Sequence, residues 1–245
     1  MGKKVALVLG GNGGIGSAAV QQLINDGYFV CATYFSNNDK ISKIFNEAPA
    51  SLSIHQCDVR DGVELSKIIE SILLTHGAID TVVFTITTSL KNNQMLELSW
   101  DDYKNHFDLQ IKVMFFTVKA LDEQIKMKHK IKFIVILTEY CISNPPKGLS
   151  HYVTSKYAAL GMAKTMAVEL SQYKCTTNMI LPGMVETPLL DSLPSKLVEI
   201  TAYQNPLKRN ASATDVANII SFLASDKSDY LNGANIAVNG GGVLS

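Results

Sequence analysis

The chain has 245 residues and a mass of 26.7 kDa, with 22 Lys and Arg against 22 Asp and Glu, so its formal net charge is zero. A protein that works on duplex nucleic acid needs a cationic excess to displace counterions, and none is present. Apolar residues make up 47% and charged residues 18%, which supports a sizeable core and argues against disorder.

From the start, Met1, Gly2, Lys3 and Lys4 run straight into an apolar strand, without the long apolar stretch of a secretory leader, so a cytoplasmic protein is expected. No apolar run approaches the ~20 residues of a membrane-spanning helix, so no membrane partner is expected either. Continuous apolar, β-rich runs predict strands over residues 5–9, 29–33, 51–55, 81–86, 133–138, 176–181 and 234–238. Amphipathic stretches between them predict helices over 15–25, 62–75, 100–127, 152–172 and 214–224, the last capped by Ser212 or Thr214 with Asp215 in its first turn. This alternation predicts an α/β fold: one doubly wound, Rossmann-type parallel sheet of about seven strands with helices on both faces. Two segments break the alternation, the Pro/Gly loop at 143–150 and the long connection at 188–206. Both follow strand ends, where open α/β sheets bind ligands.

Cys31, Cys57, Cys141 and Cys175 form no C-x-x-C pair and read as reduced thiols. His55, His76, His106, His129 and His151 lack metal-ligand spacing, so no metal site is expected.

The first strand ends in Leu9-Gly10-Gly11-Asn12-Gly13-Gly14-Ile15-Gly16, and a helix follows at once. Glycines let a chain turn sharply and approach a pyrophosphate, and the helix N-terminus offers free N–H groups to its oxygens. Opening a βαβ unit is the context that gives a glycine trio meaning. A dinucleotide-binding turn is therefore expected, with Gly10, Asn12, Gly13, Gly14, Ile15 and Gly16 around the phosphates.

The second strand runs through Val30-Cys31-Ala32-Thr33-Tyr34-Phe35 with no acid at its end, where a carboxylate would hold the ribose 2′-hydroxyl of NAD. Asp39 is the first acid, beyond the Ser36-Asn37-Asn38 turn. Tyr34, Ser36 and Asn37 border the expected adenosine end, and Ser36, Asn37 and Lys40 could donate to a 2′-phosphate. NADP(H) is expected over NAD(H), although no arginine stands at this strand end.

Tyr152-Val153-Thr154-Ser155-Lys156 opens the helix at 152–172. An i,i+4 spacing puts phenol and ammonium on one face, where the cation favours phenolate and lowers a pKa that starts near ~10.

Together with the Gly10…Gly14…Gly16 spacing, four further matches resemble the short-chain dehydrogenase/reductase family over residues 5–241. They are Tyr152/Lys156, Asp58-Val59 after the third strand, Pro182-Gly183-Met184-Val185-Glu186-Thr187, and the tail from Asn205-Pro206-Leu207 to Asn239-Gly240-Gly241. The resemblance implies a single Rossmann-fold domain over 1–245 that transfers hydride between NADP(H) and a carbonyl carbon. It implies that Asp58 and Val59 hold the adenine, and that Pro182, Gly183, Val185 and Thr187 lie along the nicotinamide. Tyr152 would be the proton donor, with Lys156 lowering its pKa and holding the ribose.

The chain also departs from that pattern. Leu9 replaces a threonine. The turn after the fourth strand, Asn-Asn-Ala-Gly in the family, is Phe84-Thr85-Ile86-Thr87, which leaves Thr85 beside the cofactor. Gln110 stands where an asparagine orders a relay water. Glu139 falls where the catalytic serine is expected, thirteen residues before the tyrosine. Thr138 supplies a hydroxyl if the register shifts by one, and Ser143 lies further on.

The tail and size look most like the 3-oxoacyl-carrier-protein reductases and polyketide ketoreductases. An acyl-thioester substrate is thus expected, with Lys126, Lys128, His129, Lys130 and Lys132 as a possible acyl carrier protein dock. An alcohol or sugar dehydrogenase of the same family is the alternative, and a non-catalytic partner subunit is a second. Members usually form dimers or tetramers, and a homotetramer is expected.

Overall fold

The computed structural model describes residues 2–244; Met1 and Ser245, the ends of the expected domain, lie outside the described residues. The central sheet contains β1 (Val5–Leu9), β2 (Phe29–Tyr34), β3 (Leu52–Gln56), β4 (Thr81–Phe84), β5 (Lys132–Ile136), β6 (Thr176–Pro182) and, last in the chain, β9 (Asn235–Val238). All pair in parallel, in the order β3-β2-β1-β4-β5-β6-β9. The chain reverses direction across the sheet between β1 and β4, so the crevice beyond their carboxyl ends is the place for a ligand.

Strand side chains alternate between two apolar layers. Val5, Leu7 and Leu9 of β1 face one layer, built with α3 (Gly62–His76), α5 (Val113–Ala120) and α7 (Ser150–Glu169). Ala6 and Val8 face the other, built with α1 (Gly14–Asn25) and α9 (Ala213–Ala224). The inner strands are covered on both faces, which explains why they read as largely apolar runs. Ser212, not Thr214, caps α9: its Oγ accepts from the Asp215 N–H, and the Asp215 carboxylate accepts from the Ser212 N–H.

Three expectations are corrected. The residues after the Asn37 turn form α2 (Asp39–Glu47), and part of the long connection forms α8 (Ser195–Gln204). Two-residue strands β7 (Val185–Glu186) and β8 (Ala211–Ser212) pair at the base of that connection. The single helix expected over 100–127 is instead α4 (Trp100–Phe107), a π-helical turn (Asp108–Lys112), α5 and α6 (Asp122–Lys126). A π turn inserts a residue into the helical register without altering the apolar pattern enough to show in sequence.

The basic run at 126–132 is not an open cationic patch. Lys126 pairs with Asp122 at 2.7 Å, His129 meets Asp80 at 3.1 Å, and Lys130 binds Asp229 at 2.6 Å. Lys132 is buried and donates to Asp229, Ser228 and the Ser225 carbonyl. Lys128 alone has no acidic partner among the described residues. The run also surrounds the start of β5, at the opposite end of the sheet from the crevice, so acids neutralise the surface expected to receive an acidic carrier. No helix among the described residues is long and apolar enough to cross a membrane.

Candidate active site

At the end of β1 the chain turns at Gly10, whose φ of 88° is a conformation only glycine adopts without strain. The turn is tied to its neighbours by hydroxyls. Thr33 accepts from the Gly10 N–H at 3.1 Å, and Thr85 donates to the Leu9 carbonyl at 2.8 Å. The hydrogen-bonding anchor missing at Leu9 is thus supplied by β2 and by the residue after β4. Helix α1 begins at Gly14 with no side-chain cap and no acid in its first turn, leaving its first N–H groups available to an anion. A Cβ on Gly14 would overlap the Thr187 side chain, and one on Gly16 would overlap the Gly10 carbonyl oxygen. That tight cradle fits a pyrophosphate carried on the backbone.

Beside the turn lies a cleft of about 250 Å³ lined by Gly10, Gly13, Tyr34, Asp58, Val59 and Thr85, all expected there, together with Phe35, Arg60, Ile86 and Leu109. Three expected ligand residues do not line the cleft. Asn12 accepts from the Lys40 and Ile41 N–H groups at 2.9 and 3.1 Å, capping α2 from a distance, and donates to Asn37. Asn37 closes its own turn by accepting from the Asp39 N–H at 2.8 Å. Ser36 is exposed and does not line the cleft. Arg60, absent from the sequence expectations, directly follows Asp58-Val59, beyond the end of β3 and not at the end of β2 where such a cation is conventional.

On the other side of the turn, Ile15, Thr138, Tyr152, Pro182, Gly183, Val185 and Thr187 line a cavity of about 110 Å³ with Leu90, Leu149, Leu189, Leu190 and Leu193. Among the described residues its hydroxyls are those of Thr138, Tyr140, Tyr152 and Thr187, and most of the remaining lining is apolar. Thr138 is buried, its Oγ accepts from the Tyr140 N–H at 3.4 Å, and its hydroxyl acts on the Tyr152 phenol to oppose the rise in its pKa. Glu139 and Met184 line this cavity too, and Glu139 also borders an adjoining cavity of about 480 Å³ with Asn205, Arg209 and Asp215, its carboxyl lying toward Gly183 and Gly242. Ser143 spends its hydroxyl on the Glu139 carbonyl at 3.1 Å.

The family model described as Enoyl-(Acyl carrier protein) reductase matches residues 10–242. The 3-oxoacyl-[acyl-carrier-protein] reductase FabG of Staphylococcus epidermidis is 32% identical over 244 residues, 97% of this chain and 98% of that protein. The chain belongs to the short-chain dehydrogenase/reductase family. It is therefore an oxidoreductase. Oxidoreductase UcpA of Salmonella typhimurium is 32% identical over 262 residues, covering 100% of this chain and 97% of that protein. The structure of ElxO with NADP bound superposes with a TM-score of 0.88 at 26% identity, covering 98% of each chain.

In this short-chain dehydrogenase/reductase, Tyr152 and Lys156 sit one turn apart at the start of α7, both buried, with the Lys156 Nζ 5.9 Å from the Tyr152 ring centre. The shift of the phenol runs opposite to the one its spacing to Lys156 predicts. Burial raises the phenol above its ordinary value, the Thr138 hydrogen bond opposing it, and burial lowers the Lys156 ammonium to about 8. The ammonium is also turned away from the phenol oxygen, donating to the Gln110 Oε1 at 3.1 Å and the Ile136 carbonyl at 2.8 Å. Gln110 donates in turn to the Ile86 carbonyl at 2.9 Å. The Gln110 amide thus reaches both Lys156 and the Ile86 carbonyl directly, and the π turn carries it there.

Behind Tyr152, His106 of α4 and His151 of α7 pack edge to face with ring centres 4.6 Å apart, and His106 lies 6.1 Å from the Tyr152 ring. Both are buried, and neither ring nitrogen of His151 has a hydrogen-bond partner. Burial, reinforced by His151 and Lys156, lowers His106 to about 4, with Asp102 opposing. A lowered folded pKa means the unfolded chain binds the proton more readily. The stability from this pair is therefore complete above pH ~6.5 and is lost as pH falls toward 4, by up to about 3 kcal/mol for His106 alone. Denaturant titrations at pH 7.5 and 5 should show this loss, and His106→Phe should flatten it; an unchanged pH slope in that variant would refute the assignment.

Proposed function

We propose that the protein is an NADPH-dependent reductase of 3-oxoacyl thioesters, acting as a single domain. The observation that carries this reading is the placement of the Tyr152 and Thr138 hydroxyls at the floor of a leucine-walled cavity directly beside the glycine turn. Leucine walls suit an acyl chain and offer little to the hydroxyls of a sugar. The uncapped N-terminus of α1 and the tight glycine cradle would hold the pyrophosphate of the dinucleotide, with Asp58 and Val59 at the adenine. When bound, the reduced nicotinamide supplies hydride to the carbonyl carbon.

The chain's own groups do the rest. Thr138 orients the carbonyl and holds the phenol. Tyr152 gives its proton to the oxygen as negative charge develops there. The phenol's raised pKa keeps it protonated until that moment, and the Lys156 ammonium, 5.9 Å from the ring centre, acts on the resulting phenolate only through space. Gln110 and the Ile136 carbonyl keep that ammonium in place, so Gln110 is a positioning residue. Apolar side chains of Phe115, Tyr157 and Val168 remain 51, 46 and 75% exposed on α5 and α7, surfaces that a homotetramer would cover.

Purified protein with NADPH should turn over acetoacetyl and longer 3-oxoacyl thioesters, reduce crotonyl thioesters poorly, and oxidise sugars with NADP not at all. Faster turnover of a sugar or of the crotonyl thioester would overturn the substrate assignment. NADPH binding without turnover of any substrate would favour the partner-subunit reading. Thr138→Ala should lower kcat by about 10- to 100-fold by removing one donor at the developing charge, whereas Glu139→Gln should stay within about threefold because its carboxyl lies toward the Gly183 and Gly242 backbone. The reverse order would return the serine role to Glu139.

A further inference from the structure

The adenosine end of the cleft contains the cation that the end of β2 lacks. Arg60 arrives there from the end of β3, and its guanidinium lies over the Phe35 ring, 5.5 Å from the centre. Its Nε donates to both Asp58 oxygens, at 2.8 and 3.2 Å, and its Nη2 donates to one at 2.7 Å. That contact uses one edge of the planar fork. The other edge, carrying Nη1, makes no hydrogen bond among the described residues, and Asp58 is the sole ion-pair partner of Arg60 there. Asp108 is the other acid that acts on it, and that carboxylate is held by Lys104 and Lys112. Phe35 is 60% exposed at the cleft lip, an unusual place for a phenylalanine with nothing to cover.

We propose that Arg60 is the residue that selects NADP(H) over NAD(H), a reading that rests on the dinucleotide function above. The free edge of the guanidinium donates to the 2′-phosphate. Phe35 is the platform that keeps the fork planar against the cleft, and Asp58 is the brace that fixes its rotation. A guanidinium held in this way offers two parallel N–H donors at little further loss of side-chain freedom. No acid competes for the site from β2: the Asp39 carboxylate accepts from Asn37 at 3.1 Å. Selectivity in this chain would then come from β3, not from the strand whose end conventionally supplies it.

The test titrates the full-length protein with NADPH and NADH, and separately with 2′,5′-ADP and 5′-AMP, following nucleotide or protein fluorescence. The wild type is expected to prefer the 2′-phosphorylated member of each pair by at least tenfold. Arg60→Ala should weaken NADPH and 2′,5′-ADP by 10- to 100-fold while changing NADH and 5′-AMP less than threefold. Arg60→Lys should restore part of the preference, and Phe35→Ala should produce a smaller loss of the same pattern, with unfolding temperatures reported for each variant. Equal weakening of both members of a pair in Arg60→Ala would show a merely structural brace and overturn the proposal, as would no change in either. A wild type that binds NADPH and NADH equally would also overturn it while leaving the dinucleotide reading intact. A wild type that binds neither would overturn that reading itself.

Discussion

Tyr152→Phe should cost 10²- to 10⁴-fold in kcat on a 3-oxoacyl thioester, about 3–5 kcal/mol of transition-state stabilisation, with little change in NADPH affinity. The substitution removes one oxygen from a buried ring whose packing against His106 and Val153 is otherwise preserved. The lost oxygen is the group that faces Thr138 and the cavity. Thr138 is too weak an acid to replace the phenol, and Lys156 is held by Gln110 and Ile136, away from the carbonyl. Stopped assays with matched unfolding temperatures would check this. A variant that keeps more than a tenth of wild-type kcat would place the proton donor elsewhere.

The second large effect concerns the backbone. Gly16→Ala should destabilise the fold by about 2–4 kcal/mol, lowering the unfolding temperature by roughly 5–15 °C, and should abolish dinucleotide binding. An added methyl at Gly16 overlaps the Gly10 carbonyl oxygen and crowds the Thr85 hydroxyl at 2.9 Å. Both are fixed: the Gly10 carbonyl accepts from the Gly13 N–H at 3.0 Å, and Thr85 bridges to β1. Relief requires moving α1 off the sheet, which takes the phosphate-binding N–H groups with it. Gly161→Ala, on an exposed face of α7 with nothing within 4 Å, should have the opposite sign and raise stability by about 0.5–1 kcal/mol. If Gly16→Ala is neutral by thermal unfolding, the cradle is not as tight as described.

The parts of this molecule that were legible in its sequence are those set by burial and by special backbone geometry. The edge strands β3 and β9 are partly exposed and more polar. The five inner strands, β1, β2, β4, β5 and β6, are largely apolar because both faces of the sheet are covered there, so they announce themselves. The turn at Gly10–Gly16 does so because only glycine fits. Other parts depend on partners distant in the chain. Helix α2 is nine residues long, and its N-terminus is capped by Asn12 from another turn, so its own sequence carries a weak start signal. Helix α8 buries none of its described side chains and thus lacks a clear apolar stripe. Thr138 and Glu139 are adjacent after β5 and both line the cavity beside Tyr152, so counting back from Tyr152 does not separate them. The direction of the Tyr152 pKa shift could not be read from its spacing to Lys156, because proximity and enclosure act in opposite directions and only the fold shows that enclosure wins.

The two-residue ladder between β7 and β8 has an evolutionary consequence. Val185 pairs with Ala211 and Glu186 with Ser212, so residues 187–210, including α8, form a closed excursion whose two ends are fastened next to each other. Chain inserted into a loop of this kind costs only about 0.6 kcal/mol per doubling of its length. The excursion supplies Leu189, Leu190 and Leu193 to one cavity and Thr201, Gln204 and Asn205 to another, yet no strand of the central sheet passes through it. Ligand preference can therefore drift through substitutions, insertions and deletions there, while Tyr152, Lys156 and the glycine turn remain under a separate constraint.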